Sequence, residues 1–123
     1  MSALRAEMTS AGAGTVEIRC PFDKRLTQQN GFAHGGVITS ILDSACGYAA
    51  LSVAPTECEV LSVEFKVNLL APAVGEAFVA RAAVKRAGKK LTVCAADAFA
   101  VKGGGEKLIA TMLATMMNMT RST

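Results

Sequence analysis

Residues 35–53, GGVITSILDSACGYAALSV, carry the pattern that most restricts how this chain can fold. Ile38, Ile41, Leu42, Ala45 and Ala49 return at three- and four-residue spacing, the period of a helix with one buried face, and Pro55 marks its stop. The segments around it read as strands. TVEIRC (15–20) alternates, with Val16, Ile18 and Cys20 on one side. Residues 21–33, with Pro21, Asp23, Asn30 and Gly31, read as a loop. After the helix come VLSVEFKVNLL (60–70), EAFVARAAVKR (76–86), KLTVCAADAFAV (90–101) and EKLIATMLATMMNM (106–119). Turn residues separate them: Pro72 and Gly75, then Gly88, then Gly103-Gly104-Gly105. In the first of these runs Val63, Phe65, Val67 and Leu69 oppose Glu64, Lys66 and Asn68. One apolar helix among short-turned strands predicts an α+β fold, an antiparallel β-sheet wrapped around one long central α-helix.

The 123 residues suit a single domain. With 51% hydrophobic residues, 5% aromatic and no Trp, the core must be built from Ala, Val, Leu, Ile and Met. So much apolar residue on a small chain also predicts buried subunit contacts. A net charge of +3 fits an anionic small ligand, while five Phe and one Tyr give few stacking platforms for nucleic acid, so none is expected. Cys20, Cys46, Cys58 and Cys94 lie far apart with no CxxC pair, which points to reduced thiols in a cytoplasm. No His/Cys/Asp cluster has metal-ligand spacing, so neither metal nor cofactor is expected. Asp43 and its Ser and Gly neighbours interrupt the longest apolar run, and no membrane span is expected. MSALRAEMTSAGAG lacks the apolar region of a secretory signal and reads as a loose arm, giving an arm over 1–13 and one domain over 14–123.

At 100° per residue Asp43 points away from Ile41 and Ala45 and shares its face with Gly36, Thr39, Ser40, Cys46, Gly47 and Ala50. That face is small enough for a second helix or a ligand to approach the backbone. At the helix start, backbone N–H groups of a first turn have no intrahelical partners and lie at the positive end of the dipole, and Gly35 and Gly36 have no side chains to block access. Three readings stay open: a tight helix start, a phosphate site, or a hole for the oxyanion of a carbonyl under attack. Gly35 and Asp43 are eight residues apart, which is roughly 12 Å along a straight helix. A reacting carbon needs donor and attacking group each about 3 Å away. One helix cannot supply both. Two antiparallel helices across a two-fold axis can, and would make two equal sites.

The pattern Gln28, Gly31, His34, Gly35, Gly36 followed by Asp43 resembles the hotdog-fold acyl-CoA thioesterases of the PaaI-like, phenylacetate-pathway type. The resemblance runs from about residue 15 to 119 and includes SVEFKVNLLAPAVGE (62–76), GKKLTVCAADAF (88–99) and ATMLATMM (110–117). It implies a hotdog fold with Asp43 as catalytic acid, Gly35 giving an oxyanion N–H, Gln28 polarising the thioester carbonyl, and Ser62 helping to position water. Family members more often carry Asn where Gln28 stands; both amides donate, but Gln is one methylene longer. Direct attack by Asp43 and activation of a water both fit.

His34 invites a general-base reading, but its position just before the helix favours orienting the loop and substrate through hydrogen bonds. Cys46 has no acid to orient a Cys–His pair and is a poor nucleophile candidate. Arg81, Lys85, Arg86, Lys89 and Lys90 crowd the turn at Gly88, either as a solvated turn or, with Arg86, Lys89 and Lys90, as a site for the CoA phosphates. Lys66 and Asn68 could line the route to the thioester, and Phe32, Tyr48 and Leu51 the acyl pocket. The expectation is therefore a homodimer, and beyond it a homotetramer, that hydrolyses small or aromatic acyl-CoA to free acid and CoA. The rivals are a non-catalytic acyl-CoA-binding hotdog protein and a hydratase on the same fold.

Overall fold

The alternating runs become strands and the helical run becomes one helix. The computed structural model describes residues 6–22 and 35–120. In chain order these form β1 (Glu7–Gly12), β2 (Thr15–Pro21), α1 (Gly35–Val53), β3 (Cys58–Leu69), β4 (Ala77–Ala87), β5 (Leu91–Lys102) and β6 (Gly105–Thr120). The strands make one sheet in the order β1-β2-β4-β5-β6-β3, every pair antiparallel. This is the hotdog arrangement expected from the sequence.

The sheet's inner face is mostly alanine. Ala80, Ala82, Ala96, Ala98, Ala100, Ala110 and Ala114 are all buried, so the helix can settle close to the strands. Ile38, Ile41, Leu42, Ala45 and Ala49 fill that face, as their spacing predicts. The sheet wraps further than the spacing suggested: Cys46 and Ala50, expected on the open side, are also fully buried. Four register shifts, in β1, β3, β4 and β5–β6, add the local bends that let a sheet curl around a helix. The helix is long and apolar enough to cross a membrane, but the sheet occupies its apolar face and makes it the core of the fold.

The N-terminal segment departs from expectation. Residues 7–12 are not a loose arm but edge strand β1, joined to β2 through Gly14 at φ 82°. Every residue of β1 is exposed, so it buries no apolar face that periodicity could reveal, and its pairing with β2 defines it. The Gly14 N–H donates to Ser52 Oγ at 2.7 Å, and that hydroxyl donates to Ala49 O at 2.6 Å, which ties the β1–β2 turn to the end of α1.

At the other edge, β3 presents twelve residues with unusual exposure of apolar groups. Leu61, Val63, Phe65 and Leu69 are 54%, 49%, 42% and 59% exposed. A long apolar edge strand invites pairing with another chain.

Candidate active site

Asp43 lies on the side of α1 that the sheet leaves open, in a stripe with Gly36, Ser40, Gly47 and Leu51. A cavity of about 270 Å³ opens there between α1, β3 and β6. Asp43, Ser44, Gly47, Tyr48 and Leu51 form its helix wall, and Val60, Ser62 and Met116 its sheet wall. Its polar side chains are the Asp43 carboxylate and the hydroxyl-bearing Ser44, Tyr48 and Ser62; the rest of the wall is apolar.

Ser62 reaches this cavity through a bulge. Ser62 pairs with Met116 and Glu64 with Thr115, leaving Val63 without a partner in register. The extra residue turns the first part of β3 over, so Ser62 comes onto the helix-facing side with Phe65 and Val67, which pair with the buried Ala114 and Met112.

The carboxylate itself is incompletely satisfied. Asp43 Oδ1 is buried and has no hydrogen-bond partner among the described residues. A buried acceptor left unmade costs about 1–3 kcal/mol, more when charged, so the position calls for a donor beyond the described residues.

At the helix start, Gly35 and Gly36 occupy the first turn, which contains no acidic side chain to offset the positive end of the dipole. Thr39 Oγ1 donates to Gly35 O at 2.9 Å and steadies that turn. A Cβ at Gly35 would meet Leu69 Cδ1 at 3.1 Å, so a side chain there would press on the end of β3. Gln28, Gly31, Phe32 and His34 lie outside the described residues.

This arrangement has known counterparts. A family model described as the thioesterase superfamily matches residues 30–107, more than half of the chain. The chain belongs to the thioesterase superfamily. A solved thioesterase family protein from Silicibacter pomeroyi is 50% identical, with a TM-score of 0.97 over 98% of this chain and 89% of that one. The PaaI protein of E. coli, from the phenylacetic acid degradation operon, shares the fold at 20% identity, with a TM-score of 0.85 over 96% of this chain and 82% of that one. An inferred esterase of Halobacterium salinarum is 31% identical over 98 residues, 76% of this chain; the match spans 64% of that relative's length. The resemblance read from the sequence to PaaI-like hotdog thioesterases is borne out.

Within this thioesterase-superfamily fold, several candidate residues fall elsewhere than expected. Lys66 and Asn68 pair with Leu113 and Thr111, one residue out of phase with the buried Met112 and Ala114. They therefore project from the sheet's outer face, away from α1, and do not line the Asp43 cavity of their own chain. The outer face is a polar ladder in which Thr115 donates to Glu64 at 3.0 Å and Thr111 to Asp97 at 2.7 Å.

The basic turn divides into engaged and exposed groups. Arg81 donates to Glu17 at 2.7 Å and to both Glu106 oxygens at 2.7 and 2.6 Å, and its guanidinium lies 5.0 Å from the Phe99 ring centre. Arg86, Lys89 and Lys90 are exposed at the β4–β5 turn. Asn118 holds that turn: its N–H donates to Lys90 O at 2.7 Å and its Nδ2 to Lys89 O at 3.2 Å.

Cys46 is no nucleophile. Burial, then Cys94 and Asp43 nearby, push its thiol up to about 12, so it stays protonated. Cys94 Sγ donates to Cys46 O at 3.5 Å, which makes the pair part of the core.

Sequence reasoning missed Ser44, Gly47, Val60 and Met116 as cavity residues. Met116 was legible only as one of many apolar positions on β6, and Val60 only once the bulge fixed the register.

Proposed function

We propose that the protein hydrolyses acyl-CoA thioesters of small or aromatic acids to the free acid and CoA. The observation that carries this reading is the Asp43 carboxylate, with a buried oxygen lacking a partner among the described residues, facing a largely apolar cavity of about 270 Å³ beside Ser62. An acyl group would occupy the apolar part, and the thioester carbonyl would lie at the carboxylate. Asp43 then either attacks the carbonyl carbon to give an acyl-enzyme anhydride, which water hydrolyses to the free acid and the Asp43 carboxylate, or removes a proton from an attacking water, with Ser62 holding that water. In either route the oxyanion would be received by the Gly35 N–H and the Gln28 amide, and the thiolate of CoA leaves. Exposed Arg86, Lys89 and Lys90 are proposed to attract the CoA phosphates.

The two ends of the site belong to different chains. Gly35 and Asp43 are separated on one straight helix of 19 residues by roughly 12 Å, so a shared carbonyl needs a two-fold partner. The exposed apolar edge of β3 is the surface proposed to pair in that homodimer, and a homotetramer would bury further apolar surface. No disulfide joins any of the four cysteines, which suits a cytoplasmic setting. No metal and no cofactor beyond the CoA of the substrate enter the mechanism.

The test is a panel of acyl-CoAs incubated with the protein and a thiol reagent. Release of CoA from small or aromatic substrates, abolished in Asp43→Asn, supports the reading. Tight binding without release from any of them would identify a non-catalytic acyl-CoA-binding protein.

A further inference from the structure

Gly47 stands one turn beyond Asp43 on the open face of α1, in the interior of the helix. A mid-helix glycine weakens a helix relative to alanine, so its presence needs a local reason. At other positions that reason is crowding: a Cβ at Gly75 or Gly88 would lie 2.8 or 2.5 Å from a backbone oxygen. At Gly47 there is none. A Cβ there meets no atom within 4 Å, and the backbone has ordinary helical φ. The space that the missing side chain leaves is part of the Asp43 cavity, whose apolar walls beside it are Leu51, Val60 and Met116.

The cavity volume sharpens the point. About 270 Å³ lies just below the roughly 300–1,000 Å³ of pockets that engulf a drug-sized ligand. The compartment can take an acyl group but not the nucleotide part of CoA. In a space that small, one or two methyl groups change what fits.

We propose that Gly47 is a specificity-determining residue, whose absent side chain gives the acyl compartment the depth to admit a ring-bearing acyl group behind the thioester carbonyl. The inference rests on the thioesterase reading of the site and adds the residue that sets its substrate size. A methyl group at this position would meet neither Asp43 nor Ser62 within 4 Å, and an isopropyl group would take up more of the same space. Short acyl groups, which end before that point, would still reach the carboxylate.

The test compares Gly47→Ala and Gly47→Val with wild type, using propionyl-CoA and phenylacetyl-CoA. Both substitutions raise helix propensity, so the variants should melt no lower than wild type. The expected result is a progressive fall in kcat/KM for phenylacetyl-CoA, about ten-fold or more in Gly47→Val, the scale on which a pocket discriminates one or two methylenes. The value for propionyl-CoA should stay within about two-fold. An unchanged ratio between the two substrates, or equal loss of both, would overturn the proposal. So would dissociation of the oligomer on size-exclusion chromatography, which would make Gly47 a helix-contact residue. If wild type released no CoA, the thioesterase reading would fail separately, and calorimetric affinities for the same two ligands across the three proteins would still decide whether Gly47 limits acyl size.

Discussion

Ser62 faces the Asp43 cavity only because β3 bulges immediately after it, between Ser62 and Glu64. Strict alternation would place Ser62 with Glu64, Lys66 and Asn68 on the outer face of the sheet, on the far side from the carboxylate. The bulge thus brings a hydroxyl to the candidate site, as bulges beside active sites commonly do. Ser62→Ala should lower kcat by about ten-fold, the worth of one positioning hydrogen bond, with KM little changed. Deleting Val63 makes Ser62 directly precede the outward-facing Glu64, so plain alternation keeps the hydroxyl on the helix-facing side, and this variant should lose less than Ser62→Ala. Steady-state kinetics on both variants, each checked for an unchanged melting profile, measure this.

The proposed role of Asp43 sets chemistry against stability. Its Oδ1 is buried without a partner among the described residues, which opposes folding. Asp43→Asn keeps the shape and removes the charge, so it should lower kcat by about 10²–10⁴, the range for a lost acid–base group, while Tm stays level or rises. Parallel turnover and thermal-unfolding measurements check both halves. A variant that turned over normally would remove Asp43 from the reaction.

The helix, Gly35–Val53, and the strands that follow it were legible because each has a strong apolar period and a clear stop in Pro55, Gly75, Gly88 or the Gly103–Gly105 triplet. β1 was not, because a fully exposed edge strand leaves no burial pattern in its residues. The register of β3 was misread for a related reason. Val63, Phe65, Val67 and Leu69 look like one face, yet Val63 sits at the bulge and Ser62 takes the place that alternation gives it. Lys66 and Asn68 were assigned to the substrate route on polarity alone, and polarity does not say which side of a sheet a residue leaves from. The lone acid on a small-residue helix face was the strongest signal of the site. Cys46 shows the limit of helical geometry, since a strongly wrapped sheet covers more than one stripe of α1.

The four thiols should react very differently. Cys20, Cys46 and Cys94 are buried, Cys58 is half-buried at the start of β3, and burial raises the Cys46 thiol to about 12. The thiolate is the reactive form. At pH 8 an alkylating reagent should therefore label Cys58 first in the native protein and all four once it is unfolded. Intact-mass spectrometry follows the labelling. Rapid native modification of Cys46 would contradict its burial.

Acid should weaken the outer face of the sheet. The Thr9 and Arg81 hydrogen bonds hold the Glu17 carboxyl below its usual range, and Arg81 does the same for Glu106. Folded-state values below the unfolded ones mean that these groups stabilise the fold above the ordinary glutamate range, near 4.5, and that the contribution fades as pH falls through the lowered values. All three side chains are partly exposed and solvent-screened, so the effect should be small. Arg81→Met, which keeps a stem over Phe99, should melt slightly below wild type at pH 7, and the gap should close as the pH drops well below 4.5. Thermal melts of both proteins across that range give the comparison.

If Gly35 and Asp43 act on one carbonyl, as proposed, their separation on one helix requires two chains, and complementation tests that directly. Gln28→Ala and Asp43→Ala should each be nearly inactive alone, because every site in either homodimer lacks one group. A mixed dimer differs. One of its two sites takes Gln28 from the Asp43→Ala chain and Asp43 from the Gln28→Ala chain, and is complete; the other lacks both. Random exchange makes about half of the dimers mixed, so an equal mixture should recover about a quarter of wild-type activity through these single intact sites. Native mass spectrometry with chains of different mass reports the exchange, and CoA release reports the recovery. Full exchange without recovery would mean that amide and carboxylate act within the same chain. The roughly 12 Å that α1 sets between its own first turn and Asp43 would then have to be crossed by the segment carrying Gln28 rather than by a partner.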